Sequence, residues 1–398
     1  MEKAIFYIIY HIRAMGIDEL GQFKRINRII ERDSNDATYK FALLRSVIET
    51  CQEYSHLMSE NQGTVSFPTG LIVEKWLLYY YPLIESKEFI PQKNGESLHS
   101  GREISFRADF QKITDYYRDK GGFSAFYIDY MRKGLPHDIT RDFLILVRNI
   151  YRTIIDMPMR FLGRSVSEEE YSIFTPDRGR SHLGSQRPID RSSVVGGFGQ
   201  FHFRREYFDI FQHLGSFISG ETSLTWKWAE FSVKADRTGA LKTESVLSKL
   251  REQPETERDV GDARDTYLKM LSQRKELECV WSGRRIESPS SLSVDHVIPF
   301  SVWGSNDLWN LLPIDVSINM KKSNRIPSPE LIQRRSAVIK SCWDVLRGRF
   351  ASRFDREVSI SLTGKMLTDE GGYDAAIGQL VDKCSYLIDV RGFEKWTV

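Results

Sequence analysis

CVWSGRRI (279–286), SVDHVIPFS (293–301) and NDLWNLLPIDVSINMKKSNRIP (306–327) fall within one short segment, Cys279 to Pro327. A brief apolar run carrying Leu292 and Val294 ends on Asp295 and His296. Pro299 and a polar loop through Gly304, Ser305, Asn306 and Asp307 follow. A second apolar run, Trp309 to Ile314, then leads to Asp315 at a helix N-cap position, and Val316 to Ser323 read as a short helix. The order is strand, loop, strand, helix. Asp295, His296, Asn310 and Asn319 fall where these pieces would meet.

Those residue types suit metal-assisted hydrolysis of a phosphodiester. A hard cation such as Mg²⁺ takes oxygen ligands and needs only one or two from the protein. Asp295 offers a charged oxygen and Asn319 a neutral one, leaving positions for water and phosphate. His296 falls on the opposite strand face from Asp295, which favours a general base over a co-ligand. An imidazole titrating near pH ~6.5 is partly neutral at physiological pH. Asn310 is placed to brace the loop or to fix the histidine ring. Each residue also has a plainer reading: a surface or capped histidine, and asparagines serving turns or caps.

With these residues in view, the segment resembles the HNH endonucleases of ββα-metal fold, and within them the subgroup that includes the HNH domains of RNA-guided CRISPR effector nucleases. The resemblance rests on Asp295-His296, Asn310 and Asn319, extended by Lys322-Ser323, Ile326-Pro327-Ser328 and an upstream Cys279-Val280-Trp281-Ser282-Gly283 that looks like the family's leading strand. It covers about an eighth of the chain. It implies Asp295 and Asn319 as ligands of Mg²⁺ or Mn²⁺, His296 as general base and Asn310 as the loop-fixing asparagine. Asn319 stands where many members carry a final histidine. Cys279 is followed by Ser282 and not by a second knuckle cysteine, so no structural zinc is expected.

Composition bounds the rest. A chain of 398 residues with 41% hydrophobic and 28% charged residues is long enough for two or three domains. A net charge of +2 confines any nucleic-acid surface to a local patch. Cys51, Cys279, Cys342 and Cys384 are far apart, which suits a reducing cytoplasm. The opening MEKAIFYIIYHIRAMG is too short an apolar run to span a membrane and reads as a buried helix.

The expected fold class is α+β: a mainly helical N-terminal region and a C-terminal ββα-metal domain. Residues 1–162 form the helical region that selects the target or meets a partner. Apolar stripes run from Tyr39 to Met58 and from Phe143 to Ile154, with an aromatic core element closed by Pro82. Residues 163–199 read as a Gly/Ser/Arg-rich linker, or as a basic loop ordering on phosphate through Arg178, Arg180, Arg187 and Arg191. Residues 200–262 are an aromatic-rich middle segment. Phe201, Phe203, Arg204, Arg205, Tyr207 and Phe208 there fit a half-buried strand or helix, or a base-stacking surface. The nuclease domain with flanking helices spans 263–350, and 351–398 close the chain as a helical segment. Between Met320 and Phe350 eight basic residues face two acids. Lys321, Lys322, Arg325, Arg334 and Arg335 are the expected phosphate contacts, with Arg284 and Arg285 beside the leading segment.

The sequence-level expectation is a cytoplasmic DNA endonuclease, without membrane attachment, acting in defence against phage or foreign DNA. It would act alone, as a homo-oligomer or with a partner protein. Two alternatives stay open: a nuclease subunit of a guided complex, and a nucleic-acid-binding regulator with an idle site. No internal repeat, P-loop, helicase box or deaminase signature is present.

Overall fold

The computed structural model describes residues 36–97, 101–162, 172–177, 183–184, 189–218, 224–254, 258–273, 277–364, 367 and 370–398, with Gly21 and Ile26 besides. The opening apolar run and Arg178, Arg180 and Arg187 lie outside them. The chain is α+β and divides into two compact units, Met1–Glu255 and Thr256–Val398. No helix among the described residues is long and apolar enough to cross a membrane.

The N-terminal unit is organised around α2 (Thr69–Glu85), which packs against α1 (Tyr39–Glu53). Helix α2 is apolar almost all round and so is buried all round. Pro82 sits inside it and does not close it; the helix runs on to Glu85. Burial of Tyr81, Leu83 and Ile84 on either side outweighs the backbone hydrogen bond that proline removes. Helix α1 ends at Glu53, short of Met58, because the chain turns there into the hairpin β1 (Ser59–Asn61) and β2 (Thr64–Pro68).

The hairpin joins an antiparallel sheet of order β1-β2-β4-β3, with β3 at Thr175–Pro176 and β4 at Gln200–Arg204. In β4 the period of two sends Phe201 and Phe203 inward, where both rings stack on Phe67 at 6.2 Å. These aromatics are core, so they cannot stack on a nucleotide base. The outer face is polar: His202 lies between the hydroxyl of Ser66 (2.7 Å) and the carboxylate of Asp177 (2.9 Å).

The described residues between 183 and 199 pack into the same unit. Val194 and Val195 are buried, and a Cβ at Gly70 would run into both their carbonyl oxygens. Arg191 reaches α2, where its Nε donates to Glu74 Oε2 (2.8 Å) and its Nη2 to Tyr54 Oη (2.6 Å). Tyr130 Oη donates to the same carboxylate at 3.0 Å. Burial alone would raise the cost of both charges; each is tolerated because the other is present. Arg191→Ala would leave the buried Glu74 carboxyl without its guanidinium partner. We expect the N-terminal unit to lose about 3–5 kcal/mol, measured by denaturant unfolding of the full chain.

The C-terminal unit holds β5 (Leu292–His296) and β6 (Leu311–Asp315), paired antiparallel with Asp295 opposite Leu312 and His296 opposite Leu311. A short helix (Val316–Lys322) follows directly, with the Asp315 side chain accepting from Ser317 N at its N-cap. The segment Cys279–Gly283 is a turn and not a strand, bracketed by a single bridge between Glu278 and Arg285. Ser328 caps the next helix, Pro329–Arg334, and a long kinked helix, Ser336–Val358, packs its Trp343 on the short helical turn before β6 through a hydrogen bond to Trp309 O (2.8 Å). Residues near 395 return to pair in parallel with Ile326–Pro327. Ile326 N donates to Glu394 O and Ser328 N to Trp396 O, both at 2.9 Å.

Candidate active site

Strand β5 alternates its side chains, so Ser293 and Asp295 share one face. The helix Val316–Lys322 lies over that face. Its Asn319 donates from Nδ2 to Ser293 Oγ (2.8 Å), and its Lys322, one turn on, donates from Nζ to Asp295 Oδ1 (3.0 Å). Lys322 also donates to His296 O at 3.0 Å, and Trp281 Nε1 donates to Asp295 Oδ2 at 2.7 Å. Asp295 is thus held from both oxygens while only 2% exposed. A buried carboxylate needs this: unpaired, it would take up a proton.

At the end of the strand His296, also 2% exposed, meets Asn306 Oδ1 through Nε2 (2.9 Å) and sets its ring against the edge of Phe300 (5.5 Å between centroids). Asn310 locks the turn between them. Its Oδ1 accepts from Ile298 N (2.8 Å) and its Nδ2 donates to Ile298 O (2.9 Å). The loop is tied again from behind. Arg353 of the long helix reaches Asp262 (2.7 Å), Glu357 (2.6 Å) and Asn306 O (3.3 Å), and Glu357 accepts from Leu308 N at 2.6 Å.

These residues open on one groove of about 360 Å³. Its lining includes Asp295, His296, Phe300, Asn319, Ser323 and Arg258. Sequence reasoning had named three of the six. Arg258 fell within the segment 200–262 and was not singled out there. Trp281 and Asn306, which hold Asp295 and His296 from behind, carried no sequence signal beyond their neighbourhood. Among the expected phosphate contacts, Lys321, Arg284, Arg285 and Arg334 are exposed. Arg325 is half-buried, over the ring of Trp396 at 4.7 Å. Two require correction. Lys322 is fully buried on Asp295 and so cannot meet solvent-side phosphate. Arg335 is spent on Glu278 (2.7 Å) and on the Val280 carbonyl (2.5 Å).

The donor set fits a hard divalent cation. Asp295 keeps lone pairs beyond its two hydrogen bonds, and Asn319 has its amide nitrogen committed to Ser293, so its oxygen is the donor left for a cation. Among the described residues no three His, Cys, Asp or Glu side chains converge on one point. A cation here would therefore fill most of its coordination shell with water and phosphate.

Residues 279–328 match the HNH endonuclease family, so this groove belongs to an HNH endonuclease domain. Such a domain supports a nuclease hydrolase with a nucleic-acid substrate, and nucleases of this kind depend in general on a divalent metal. Residues 19–250, more than half of the chain, match the family described as a domain of unknown function, DUF8808, and the chain belongs to that family. No curated protein and no solved structure matches the chain.

Glu357 offers a test of the loop's anchoring. Burial, and then the nearby Asp307, push its pKa up to about 7. A folded pKa above the unfolded value means that the native state holds the extra proton. The stability this brings is complete below the unfolded pKa and lost as pH rises through about 7. Thermal unfolding of wild type and Glu357→Gln between pH 5 and 8 should show the variant gaining on wild type as pH rises. A constant difference would remove Glu357 as a titrating anchor.

Proposed function

We propose that this chain is a divalent-metal-dependent DNA endonuclease, with Asp295 and Asn319 as metal ligands and His296 as general base. The observation that carries the reading is the shared groove: a carboxylate, an amide and an imidazole line one cleft. When bound, Mg²⁺ or Mn²⁺ would stabilise the charge that develops on the phosphate and the leaving oxygen. His296 takes the proton of the attacking water. Asn306 and Phe300 hold its ring against rotation. Lys322 and Trp281 hold the Asp295 carboxylate in place. Asn310 fixes the turn on which His296 and Phe300 are mounted.

Arg258 at the groove, with the exposed Lys321, Arg284, Arg285 and Arg334 and the half-buried Arg325, supplies the positive charge for the phosphate backbone. The N-terminal unit then serves to select the target, and defence against foreign DNA is the setting we favour, by analogy with free-standing nucleases that pair one catalytic module with a private partner domain. Purified protein with Mg²⁺ or Mn²⁺ should nick supercoiled plasmid. His296→Ala should lower the rate about a hundred- to ten-thousandfold in a chain that still unfolds cooperatively. Full activity in a folded His296→Ala chain would strip His296 of its role.

One observation favours a second reading. The ammonium of Lys322 already neutralises Asp295, as it would in a site that binds nucleic acid but has given up metal. The two readings separate on DNA binding and cleavage across a series of divalent ions. Metal-independent binding with no nicking in any of them would support the idle site.

A further inference from the structure

The backbone turns sharply at Ser323, just past the helix that carries Asn319. Its φ is +50° and its ψ −132°. Only one other described non-glycine residue has positive φ, Gln62, and that one sits in the tight hairpin Asn61-Gln62-Gly63, where such angles are the rule. Ser323 has no such excuse. Its ψ lies well outside the left-handed helical cap, in territory that glycine enters at no steric cost and a residue with a Cβ enters only under strain. The bend itself has a plain purpose: Ser323 N donates to Asn319 O at 2.9 Å and closes the helix. Glycine would close it equally well and more stably.

What serine adds is a hydroxyl, and the hydroxyl has a place to act. Ser323 is exposed and lines the same groove as Asp295, His296 and Asn319. Among the described residues its hydroxyl makes no hydrogen bond, as is also true of Ser301 on the same groove, whereas Ser293 and Ser328 are committed. Ser293 Oγ accepts from Asn319, and Ser328 Oγ accepts from Leu331 N. A strained serine with an uncommitted hydroxyl on the lip of a cleft is a binding group held in readiness.

We propose that Ser323 is a substrate-contacting residue whose hydroxyl donates to a non-bridging oxygen of the scissile phosphate. This inference rests on the nuclease reading above and adds a second anchor on the phosphate, opposite in kind to the cation: a neutral donor fixed to the end of the ligand-bearing helix. The phosphate would then be oriented by the same helix that supplies Asn319, so the distance between ligand and substrate is set by one rigid element.

Two substitutions test it, each assayed in the full chain by plasmid nicking and thermal unfolding. Ser323→Gly removes the hydroxyl and the strain together. It should unfold a few degrees higher than wild type yet nick roughly ten- to a hundredfold more slowly at low DNA concentration. Ser323→Ala removes the hydroxyl and keeps the Cβ, so it should show the same loss of rate with little change in unfolding temperature. More stable and less active is a combination that a purely structural serine cannot produce. Nicking by Ser323→Gly at the wild-type rate would overturn the inference, as would a Ser323→Ala chain of undiminished activity. A slow Ser323→Gly chain without a rise in unfolding temperature would overturn it too. Wild-type protein that cuts nothing with any divalent ion would instead remove the nuclease reading, and this inference with it.

Discussion

Asp295 is the point on which the C-terminal unit turns. A carboxylate that is almost fully buried persists as an anion only if each oxygen has a partner, and its two partners come from different parts of the chain. Trp281 arrives from the turn before the sheet, and Lys322 from the helix after it. Because Lys322 also grips the His296 carbonyl, strand, helix and turn are pinned within a few ångströms of one buried charge. The interaction is double-edged. Removing either partner would strand the charge, while buried ion pairs as a class often contribute no more net stability than apolar packing of the same volume. A structure that keeps it is trading stability for the placement of one carboxylate at a groove.

The N-terminal unit uses the same device for another end. Glu74 and Lys75 are buried side by side on the apolar helix α2, each drawn to a different partner: Glu74 to Arg191, Lys75 to Glu49 at 2.8 Å and to Glu53 at 2.5 Å. The carboxylate of Glu49 is held down to about 2, because Lys75 and Arg45 together outweigh the burial that would raise it. Apolar packing of a helix that is greasy on every side fixes its depth but not its rotation. Charged pairs on opposite flanks fix the rotation, and here they also tie the stretch around Arg191 to the core.

How much of this could be read from residues alone follows from the range of the interactions. The strand-loop-strand-helix order was legible because Leu292, Val294 and Asp315 obey local rules of alternation and capping. So was the grouping of Asp295, His296 and Asn319, which needs only that order. What failed was anything decided at long range. Pro82 looked like a terminator because its local effect is to break helices, and only the surrounding core shows why it does not. Phe201 and Phe203 looked available to a base because charge and ring were interleaved. Their alternation in β4, revealed by pairing with a strand more than a hundred residues earlier, turned both rings inward. Lys322 was grouped with Lys321 as a phosphate contact because both are cations in one basic run. A single residue of helical rotation separates a solvent-facing lysine from one sealed against a carboxylate. Within the tract before Phe198, composition could not show that the described Val194 and Val195 meet Gly70.

The parallel pairing of Ile326–Pro327 with Lys395–Trp396 has a temporal meaning. The proposed metal ligands and general base are all in the nascent polypeptide by Ser323, yet the strand that pairs just behind that residue is translated about seventy codons later. Arg325 cannot settle on the indole of Trp396 until then. The pairing behind Ser323 therefore cannot form until the segment around Trp396 has been made.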